Sequence, residues 1–432
     1  MDADALSVIG EMYDRIDGSV PRQAFEQSTH ARRLFTQLER SGGGIESVGD
    51  PECYQTAIAD LGNWSEDPWE GATYGIDAST TRNFEYTNGL IMDTAYAKLG
   101  VGGRDVDRDP EQAGTIKTVV YYDDGESTLH EETFESEDGG HIQGENVLYG
   151  ASADSTRNLS KAVSSVAQSL AEGEHARRML DDIDGPLFLD GSLYPLGVLY
   201  WVLLDYAGGM SPAESWDRPR EIVENYIEVI DTLYDRNLPV IGVVKTSTTS
   251  QVVEALDTKL VRHGVTDDDG LRPDVPWVRD HQFIAEVLRD DNLDAFTYTS
   301  WFVSTELDAA RFDAELLEPF TETLRFGESG NYRRAFFFVR LPKSEFILRV
   351  EAPLLFVQAD EMRDNIQNKA LKEIARQRDV PQPIKRADRI ARITQGNRES
   401  MRRRLESSQP SMDYNWDGRW SQDDISDMEV HK

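Results

Sequence analysis

Apolar residues in the first forty positions recur every three or four residues, which is the period of a helix with one buried face. They are Leu6, Ile9, Met12, Ile16, Phe25, Leu34, Phe35 and Leu38. The glycine-rich segment SGGGIES, residues 41–47, interrupts this pattern. We therefore predict an N-terminal helical region over residues 1–70.

Beyond residue 70, short apolar runs alternate with longer amphipathic stretches. The apolar runs predict strands that end near Asp77, Asp190 and Lys245, and two later strands that are joined by a turn at Pro342-Lys343. The amphipathic stretches predict helices at about 158–182, within 211–237, from residue 276 and over 365–405. Strands that alternate with helices predict a mixed α/β domain, which we place at residues 71–405.

Two acidic segments do not fit this alternation. Residues 101–146 are acidic and glycine-rich; TIKTVVYY (115–122) alternates like a strand, and STLHEETF (127–134) is a possible partner for it. We interpret this segment as a hairpin insertion rather than as part of the core. The last segment, residues 406–432, is acidic and reads as a mobile tail.

The charge of the chain at first argues against a nucleic-acid partner. The 432 residues include 79 Asp and Glu against 45 Lys and Arg, a formal net charge of −34, whereas duplex affinity comes largely from basic residues. The acid is dispersed along the chain, however, which is typical of proteins from a cytoplasm of molar salt. At about 1 M salt the Debye length is about 3 Å. We favour this halophilic interpretation over the alternative that the chain is a binding protein with an acidic tail. On this interpretation, the net charge does not decide whether nucleic acid is a partner.

Several protein classes are excluded by composition and motif. A single cysteine, Cys53, excludes a disulfide framework and a cysteine-rich zinc module. No P-loop, HExxH or GxSxG motif is present. No apolar stretch reaches the roughly 20 residues of a membrane span. We expect a soluble, cytoplasmic protein with no membrane partner.

Two aspartates occupy matching positions at predicted strand ends. Asp77 lies in GIDAS and Asp190 in LFLDGS, each after apolar residues and before small ones. A carboxylate at the end of a buried strand is held on a rigid element while its head faces an open edge. For either aspartate alone, a turn or a helix cap is the favoured interpretation. Two of them in the same setting favour a shared site.

A third carboxylate comes from helical spacing. Glu174 continues an apolar stripe at spacings of three or four, whereas Glu172 lies two residues off that stripe. We predict that Glu174 faces the same cavity as Asp77 and Asp190; a structural ion pair with Arg177 or Arg178 is the alternative. Three converging carboxylates raise one another's pKa, a conflict that a divalent cation removes. Oxygen ligands suit Mg²⁺ or Mn²⁺, and a pair of ions suits phosphodiester hydrolysis.

A series of short motifs occurs in an order that resembles the NurA nuclease family. They are GIDAS with the helical Glu and LFLDGSLYP, then PVIGVVKTS, VPWVRDHQFIAEVL, FFFVRLPKSEFILRVEAP and VPQPIKRADRIARIT. The resemblance covers about residues 74–405, less the acidic segment. It implies a ribonuclease H-like fold, in which a mixed central sheet is flanked by helices, with an N-terminal helical region and C-terminal helices.

The resemblance also assigns residues. It makes Asp77, Glu174 and Asp190 metal ligands and catalytic residues, with Glu172 as the alternative helical ligand. Asp388 stands where family members often carry His, which keeps an oxygen ligand but weakens the preference for Mn²⁺ over Mg²⁺. Lys245 corresponds to a strand-end lysine that holds a phosphate, with a surface lysine as the alternative. Asp280 is a ligand or, in our preferred interpretation, a helix cap.

The expected partners follow from the same resemblance and from one basic segment. Residues 372–404 are rich in arginine, and Arg386, Arg389 and Arg392 are our candidates for DNA contacts. The resemblance implies 5′-to-3′ exonuclease and single-strand endonuclease activity, a homodimer, and a hexameric HerA-type ATPase acting with it in DNA end resection and recombinational repair. The alternative is a catalytically silent adaptor that keeps the fold to dock the ATPase.

Overall fold

The computed structural model describes most of the chain. The described residues are 3–19, 24–62, 68–86, 89–103, 113–121, 132–135, 142–149, 159–199, 202, 217–245, 249–304, 317–342 and 346–408. Their helices are α1 (Ala3–Ser19), α2 (Ala24–Phe35), α3 (Leu159–Arg178), α4 (Arg218–Asp235), α5 (Gln251–Arg262), α6 (Asp280–Val287), α7 (Leu354–Val357), α8 (Asp360–Gln377), α9 (Gln382–Ala391) and α10 (Gln395–Ser408). Within this part of the chain no helix is long and apolar enough to cross a membrane.

A mixed sheet of fourteen strands forms the centre of the described structure. The strands are β1 (Ile45–Ser47), β2 (Cys53–Ala57), β3 (Thr73–Thr80), β4 (Phe84–Glu85), β5 (Ile91–Gly102), β6 (Gly114–Tyr121), β7 (Glu132–Glu135), β8 (Ile142–Tyr149), β9 (Leu187–Asp190), β10 (Val240–Val244), β11 (Ala295–Thr299), β12 (Phe302–Ser304), β13 (Arg334–Arg340) and β14 (Ile347–Pro353). Their main order is β1-β12-β13-β14-β10-β9-β3-β5-β6-β8-β7, and β2, β4 and β11 pair off this path. The predicted mixed α/β architecture, with a large central sheet flanked by helices, is confirmed.

Three neighbouring strands in the middle of the sheet are parallel. β9 pairs with β3 on one side and with β10 on the other, in parallel register. Leu187–Leu189 and Val240–Val243 are buried throughout, as expected for short strands covered on both faces. Their carboxyl ends therefore meet at one edge of the sheet, where α/β proteins place ligands. Antiparallel β14 and β5 flank this trio.

Helices pack on opposite faces of the sheet beside these strands. His175 of α3 contacts Thr115, which pairs with Ala97, so α3 covers the face on which Ala97 lies. Gly100, three residues further along β5, lies on the other face, against α9. A Cβ atom at Gly100 would lie 2.2 Å from the carbonyl oxygen of Pro383, and one at Gly75 would lie 2.5 Å from its carbonyl carbon. The two glycines therefore let α9 pack directly on the backbone of β3 and β5.

The N-terminal region contains the predicted helices but is not helical throughout. α2 packs with α5 and α6 in a second hydrophobic cluster that includes Leu34, Leu256 and Phe283. Beyond the glycine-rich interruption, β1 pairs with β12 and β2 pairs with β11. The N-terminal helical region predicted for residues 1–70 therefore also contains two strands, which the sequence did not predict because alternation over three to five residues is too short to be distinguished from a loop.

The acidic segment 101–146 is not a peripheral hairpin in its described parts. TIKTVVYY contributes to β6, as predicted, but β6 pairs antiparallel with β5 and parallel with β8. β7, which includes part of the expected partner segment, pairs with β8 instead. Val119 and Val147 belong to the main hydrophobic core. This segment therefore extends the central sheet, and the low hydrophobicity of its connections concealed that role.

The C-terminal part of the chain matches its predicted elements. β13 and β14 form the expected antiparallel pair, and α8, α9 and α10 follow. α8 ends at Gln377, and the following residue, Arg378, adopts a left-handed conformation with φ 50°. Most of the segment predicted as a mobile tail, residues 409–432, lies outside the described residues.

Candidate active site

The parallel strands bring Asp77, Asp190 and Lys245 to one place. Ile76 of β3 is in register with Leu189 of β9, so Asp77 and Asp190 are the next residues on strands about 4.8 Å apart. Asp190 is in register with Val243 of β10, and Lys245 lies two residues further on the same side of the chain. Lys245 Nζ donates a hydrogen bond of 2.6 Å to Asp190 Oδ2. Lys245 is therefore not an unattached surface lysine.

The electrostatics of the site disfavour ionised carboxylates. The Asp77 side chain is buried, with 6% of its residue surface exposed. Burial, and then the nearby Asp190, Glu172 and Asp388, raise the pKa of Asp77 to about 8. Burial also raises the pKa of Asp190, although the bond from Lys245 acts against it. Burial alone lowers the pKa of Lys245, but its acidic neighbours outweigh burial and raise it.

Glu172 is the helical carboxylate that lies beside these aspartates. Gln168 Nε2 donates to Glu172 Oε1 at 2.9 Å, and the hydroxyl of Tyr226 donates to Oε2 at 3.3 Å. The backbone N–H of Ala78, next to Asp77, also hydrogen bonds to this carboxylate. Burial raises the pKa of Glu172 to about 7, and the nearby Asp190 adds to that shift. Three elements, α3, α4 and β3, thus hold Glu172 in place.

The prediction that Glu174 faces this cavity is wrong. Glu174 forms an ion pair with Lys117 of β6, and Lys117 also pairs with Glu145 of β8. Two residues along a helix correspond to a rotation of about 200°, so Glu172 and Glu174 point to different sides of α3. The apolar stripe correctly identified the helix face over the sheet. Which strand that face covers depends on how α3 crosses the sheet, which spacing does not specify.

Asp388 lies near the site, on α9. It is exposed, and its charge acts on both Asp77 and Asp190. The contact of the neighbouring Ala387 with Gly100 fixes the position of α9 over the sheet. The structure therefore brings Asp77, Asp190, Lys245 and Asp388 into one region, together with Glu172, the alternative helical carboxylate.

Asp280 is a helix cap, but it caps α5 rather than α6, the helix of which it is the first residue. The backbone N–H groups of Val252 and Val253 donate to Asp280 Oδ1 at 2.8 and 3.1 Å, and Thr249 Oγ1 donates to Oδ2 at 2.6 Å. Val252 and Val253 lie in the first turn of α5, so Asp280 of α6 caps its neighbour. This fully buried residue ties the two helices together.

The predicted DNA-contacting arginines occupy different environments. Arg386 is partly buried and donates a hydrogen bond of 2.6 Å to the carbonyl oxygen of Val101, which connects α9 to β5. Arg389 and Arg392 are exposed. Elsewhere in the basic segment, Lys385 pairs with Asp379, so part of its positive charge is neutralised within the chain.

The donor chemistry of the site fits a hard divalent cation. Asp77, Glu172, Asp190 and Asp388 offer only oxygen ligands, and their mutual repulsion is what a cation relieves. In the part of the chain that the structure describes, however, no three acidic, histidine or cysteine side chains are already arranged to hold a metal ion. Asp190 Oδ2 already accepts the bond from Lys245, so a bound cation would share this carboxylate with the lysine or displace it.

The fold and site together define an α/β protein with an acidic cluster at the carboxyl ends of parallel strands. Residues 71–393 match the model of the NurA domain, and the chain belongs to the NurA family. No curated protein matches the chain significantly.

Three solved structures are among those that the chain matches. The NurA nuclease from Sulfolobus solfataricus is 12% identical, with a TM-score of 0.47 and coverage of 95% of this chain and 98% of that one. NurA with manganese is 11% identical, with a TM-score of 0.39 and coverage of 90% and 98%. NurA bound to dAMP and manganese is 10% identical, with a TM-score of 0.36 and coverage of 78% and 88%.

Proposed function

We propose that the protein is a metal-dependent DNA nuclease. The observation that carries the proposal is the grouping of Asp77, Asp190 and Glu172, whose burial and mutual repulsion raise their pKa values. Membership of the NurA family supports the same activity. Buried carboxylates without a structural partner for each charge are costly, so their grouping at a ligand-binding edge favours a cation site.

Each residue of the site has a distinct role in this proposal. Asp77, Glu172 and Asp190 hold the cation, and Asp388 contributes a further oxygen from α9. Lys245, once released from Asp190, binds a non-bridging oxygen of the scissile phosphate. Two Mn²⁺ or Mg²⁺ ions held by these oxygens would supply an activated water and charge stabilisation for the leaving oxygen. The protein residues position the phosphate for in-line attack.

The finer features of the activity are part of the same proposal. We infer 5′-to-3′ exonuclease and single-strand endonuclease activity on a ribonuclease H-like fold, with Mn²⁺ as a competent metal. The chain acts as a homodimer with a hexameric HerA-type ATPase, in DNA end resection and recombinational repair. The dispersed charge of −34 supports work in the cytoplasm of a halophilic archaeon.

In this proposal, DNA reaches the site across the surface of α9. Arg389 and Arg392 are exposed on or beside the helix that carries Asp388, and arginine suits bidentate contacts with phosphate. Replacing both by alanine is expected to weaken binding of single-stranded DNA and to reduce its salt dependence. Arg386→Ala is expected to destabilise the fold as well, because its guanidinium contacts the backbone of Val101.

The experiment is degradation of labelled DNA at about 2 M KCl, a salt that leaves a Debye length of about 2–3 Å, with and without Mn²⁺ or Mg²⁺. Asp77→Asn and Asp190→Asn are expected to abolish degradation and to keep the circular dichroism of the wild type. Asp184→Asn is the matched control, because this exposed aspartate accepts a bond from Tyr74 at the opposite end of β3. Retained activity in both site variants would overturn the proposal.

The second candidate is a catalytically silent adaptor that docks the ATPase. The bond from Lys245 to Asp190 favours it, because Lys245 already neutralises one of the carboxylates. The lack of a preformed three-ligand arrangement among the described residues favours it too. An adaptor would bind the ATPase ring while neither binding Mn²⁺ nor degrading DNA. Calorimetric titration of the protein with Mn²⁺ separates the two functions.

A further inference from the structure

A buried charged group lies directly behind the turn that follows Asp190. Glu351, in the middle of β14, is 1% exposed, and it pairs with Arg349 at 2.9 Å and with Arg334 at 3.5 Å. Both arginines are also buried. We call Glu351, Arg349 and Arg334 the β14 charge cluster. None of the three residues belongs to the acidic site described above.

The second oxygen of Glu351 holds the chain after Asp190. Ser192 Oγ donates to Glu351 Oε2 at 2.7 Å, and the backbone N–H of Leu193 donates to the same atom at 2.9 Å. Burial opposes ionisation of Glu351, but Arg349, Arg334 and these hydrogen bonds outweigh burial and keep its pKa below the ordinary value. Glu351 is therefore a charged acceptor for the turn.

The turn after Asp190 passes over β10 to reach Glu351 on β14. Gly191 has φ 132°, a conformation that favours glycine, and its N–H donates to the carbonyl of Val243. Gly242 of β10 lies between Leu189 of β9 and Glu351 of β14 in the sheet. A Cβ atom at Gly242 would lie 2.8 Å from the oxygen of Gly191 and 2.9 Å from the nitrogen of Leu193. The absence of a side chain at Gly242 allows this crossing.

The free energy needed to bury the β14 charge cluster indicates that stability alone does not explain it. A buried ion cluster is often no more stable than apolar residues of the same volume, because desolvation offsets the attraction. One apolar contact of the β14 charge cluster is with Phe336, whose ring centroid lies 3.8 Å from the guanidinium carbon of Arg349. An apolar side chain at position 351 would leave the turn after Asp190 without its acceptor.

We propose that Glu351 is a positioning residue for Asp190, fixing the turn Gly191–Leu193 so that the Asp190 carboxylate stays beside Asp77 and Lys245. The strand ladder of β9 holds Asp190 from one side, and the bonds to Glu351 hold the chain two and three residues later from the other. Metal affinity depends strongly on such supporting contacts. This inference rests on the proposed cation site, because it assigns Asp190 as a ligand.

The test compares Mn²⁺ affinity by calorimetry, without DNA, across matched variants. Ser192→Ala removes one bond to Glu351 and is expected to weaken Mn²⁺ binding roughly 10-fold. Ser192→Thr keeps the hydroxyl and is expected to bind Mn²⁺ like the wild type. Glu351→Gln is expected to weaken binding at least as much as Ser192→Ala. Asp231→Asn is the control for loss of a buried carboxylate, since Asp231 contacts Tyr332 and Arg325 instead.

Wild-type affinity in Ser192→Ala, or equal weakening in Ser192→Thr and Asp231→Asn, would overturn the inference. If Glu351→Gln does not fold, the Ser192 pair still decides the question. If the wild type itself binds no Mn²⁺, the proposed function fails, and metal-free crystal structures then test the positioning role. The Lys245–Asp190 bond of 2.6 Å is expected to be lost or lengthened in Ser192→Ala; an unchanged Asp190 would refute the role of Glu351.

Discussion

Lys245 donates a hydrogen bond of 2.6 Å to Asp190, and the two residues lie at the ends of adjacent parallel strands. The pair joins the predicted phosphate-binding lysine to a predicted metal ligand. On the proposed function, we expect a cation that binds Asp190 to compete with the ammonium group, and a displaced lysine would be available to a phosphate. Cation binding and phosphate binding would then be coupled through this bond.

Replacing Lys245 by methionine separates these two effects. We expect Mn²⁺ affinity to stay equal or increase, because Asp190 loses a competing cation. The kcat/KM for DNA cleavage is expected to fall roughly 10- to 100-fold, which corresponds to loss of a charged hydrogen bond to phosphate. Lys385→Met is the control, because Lys385 pairs with Asp379. Weaker Mn²⁺ binding in Lys245→Met would contradict the competition.

The pH dependence of stability follows from Asp77. Its pKa is raised from 3.8 to about 8 in the folded protein, so between these values the folded state binds a proton that the unfolded state has lost. Stability of the metal-free protein is therefore expected to decrease as pH rises from about 4 to 8. Asp77→Asn is expected to stabilise the metal-free protein by about 1–3 kcal/mol at pH 8 and by much less at pH 4. Chemical denaturation at the two pH values measures this difference.

Metal affinity is expected to show the opposite pH dependence. Asp77 and Glu172, with pKa values of about 8 and 7, must lose their protons to bind a cation, so Mn²⁺ affinity increases with pH up to about 8. Calorimetry in buffers of different ionisation enthalpy is expected to detect proton release at pH 6.5. An affinity that is constant from pH 6 to 8 would contradict this protonation of the site.

The two glutamates of α3 are expected to respond differently to neutralisation. Glu172→Gln is expected to reduce Mn²⁺-dependent cleavage at least 100-fold, since it removes a charge beside Asp190. Glu174→Gln is expected to preserve cleavage and to reduce the free energy of unfolding by about 1–3 kcal/mol, because it breaks a mostly buried pair with Lys117. The reverse result would restore Glu174 as the helical ligand.

Gly100→Ala tests whether the close packing of α9 positions Asp388. The new methyl group would overlap the carbonyl of Pro383, and we expect a destabilisation of about 2 kcal/mol or more. Gly197→Ala is the control, because among the described residues no atom outside the local backbone lies within 4 Å of its added Cβ. If Asp388 serves the cation site, Gly100→Ala also weakens Mn²⁺ binding, whereas unchanged affinity in the folded variant would show that Asp388 is dispensable.

Salt is expected to stabilise the whole chain. A net charge of −34 gives strong self-repulsion in dilute buffer, which molar salt screens. The melting temperature, followed by circular dichroism, is expected to rise continuously from about 0.1 M to about 2 M KCl, as the Debye length falls from about 10 Å to about 2–3 Å. Full stability and full nuclease activity of the isolated chain at about 0.1 M salt would refute the halophilic interpretation.

Local sequence is most informative where the position of a site residue depends only on that residue and on the strand that carries it. Asp77 and Asp190 are recognisable as candidates because each directly follows apolar residues of a strand, and parallel strands bring their carboxyl ends together. The pattern along α3 favours Glu174 over Glu172, because Glu174 continues the apolar stripe. Asp280 was recognised as a cap, but its partners Val252 and Val253 lie in another helix, which local sequence does not show.

The sequence by itself determined the alternation of strands and helices, the acidic residues at the strand ends and the family resemblance, because these depend on periodicity and on neighbours along the chain. Only the tertiary structure decided that Glu172 rather than Glu174 joins Asp77, that Lys245 holds Asp190, and that Glu351 anchors the following turn. Those contacts join residues up to 159 positions apart. They depend on strand order and on how α3 crosses the sheet, which are properties of the packed chain rather than of any segment.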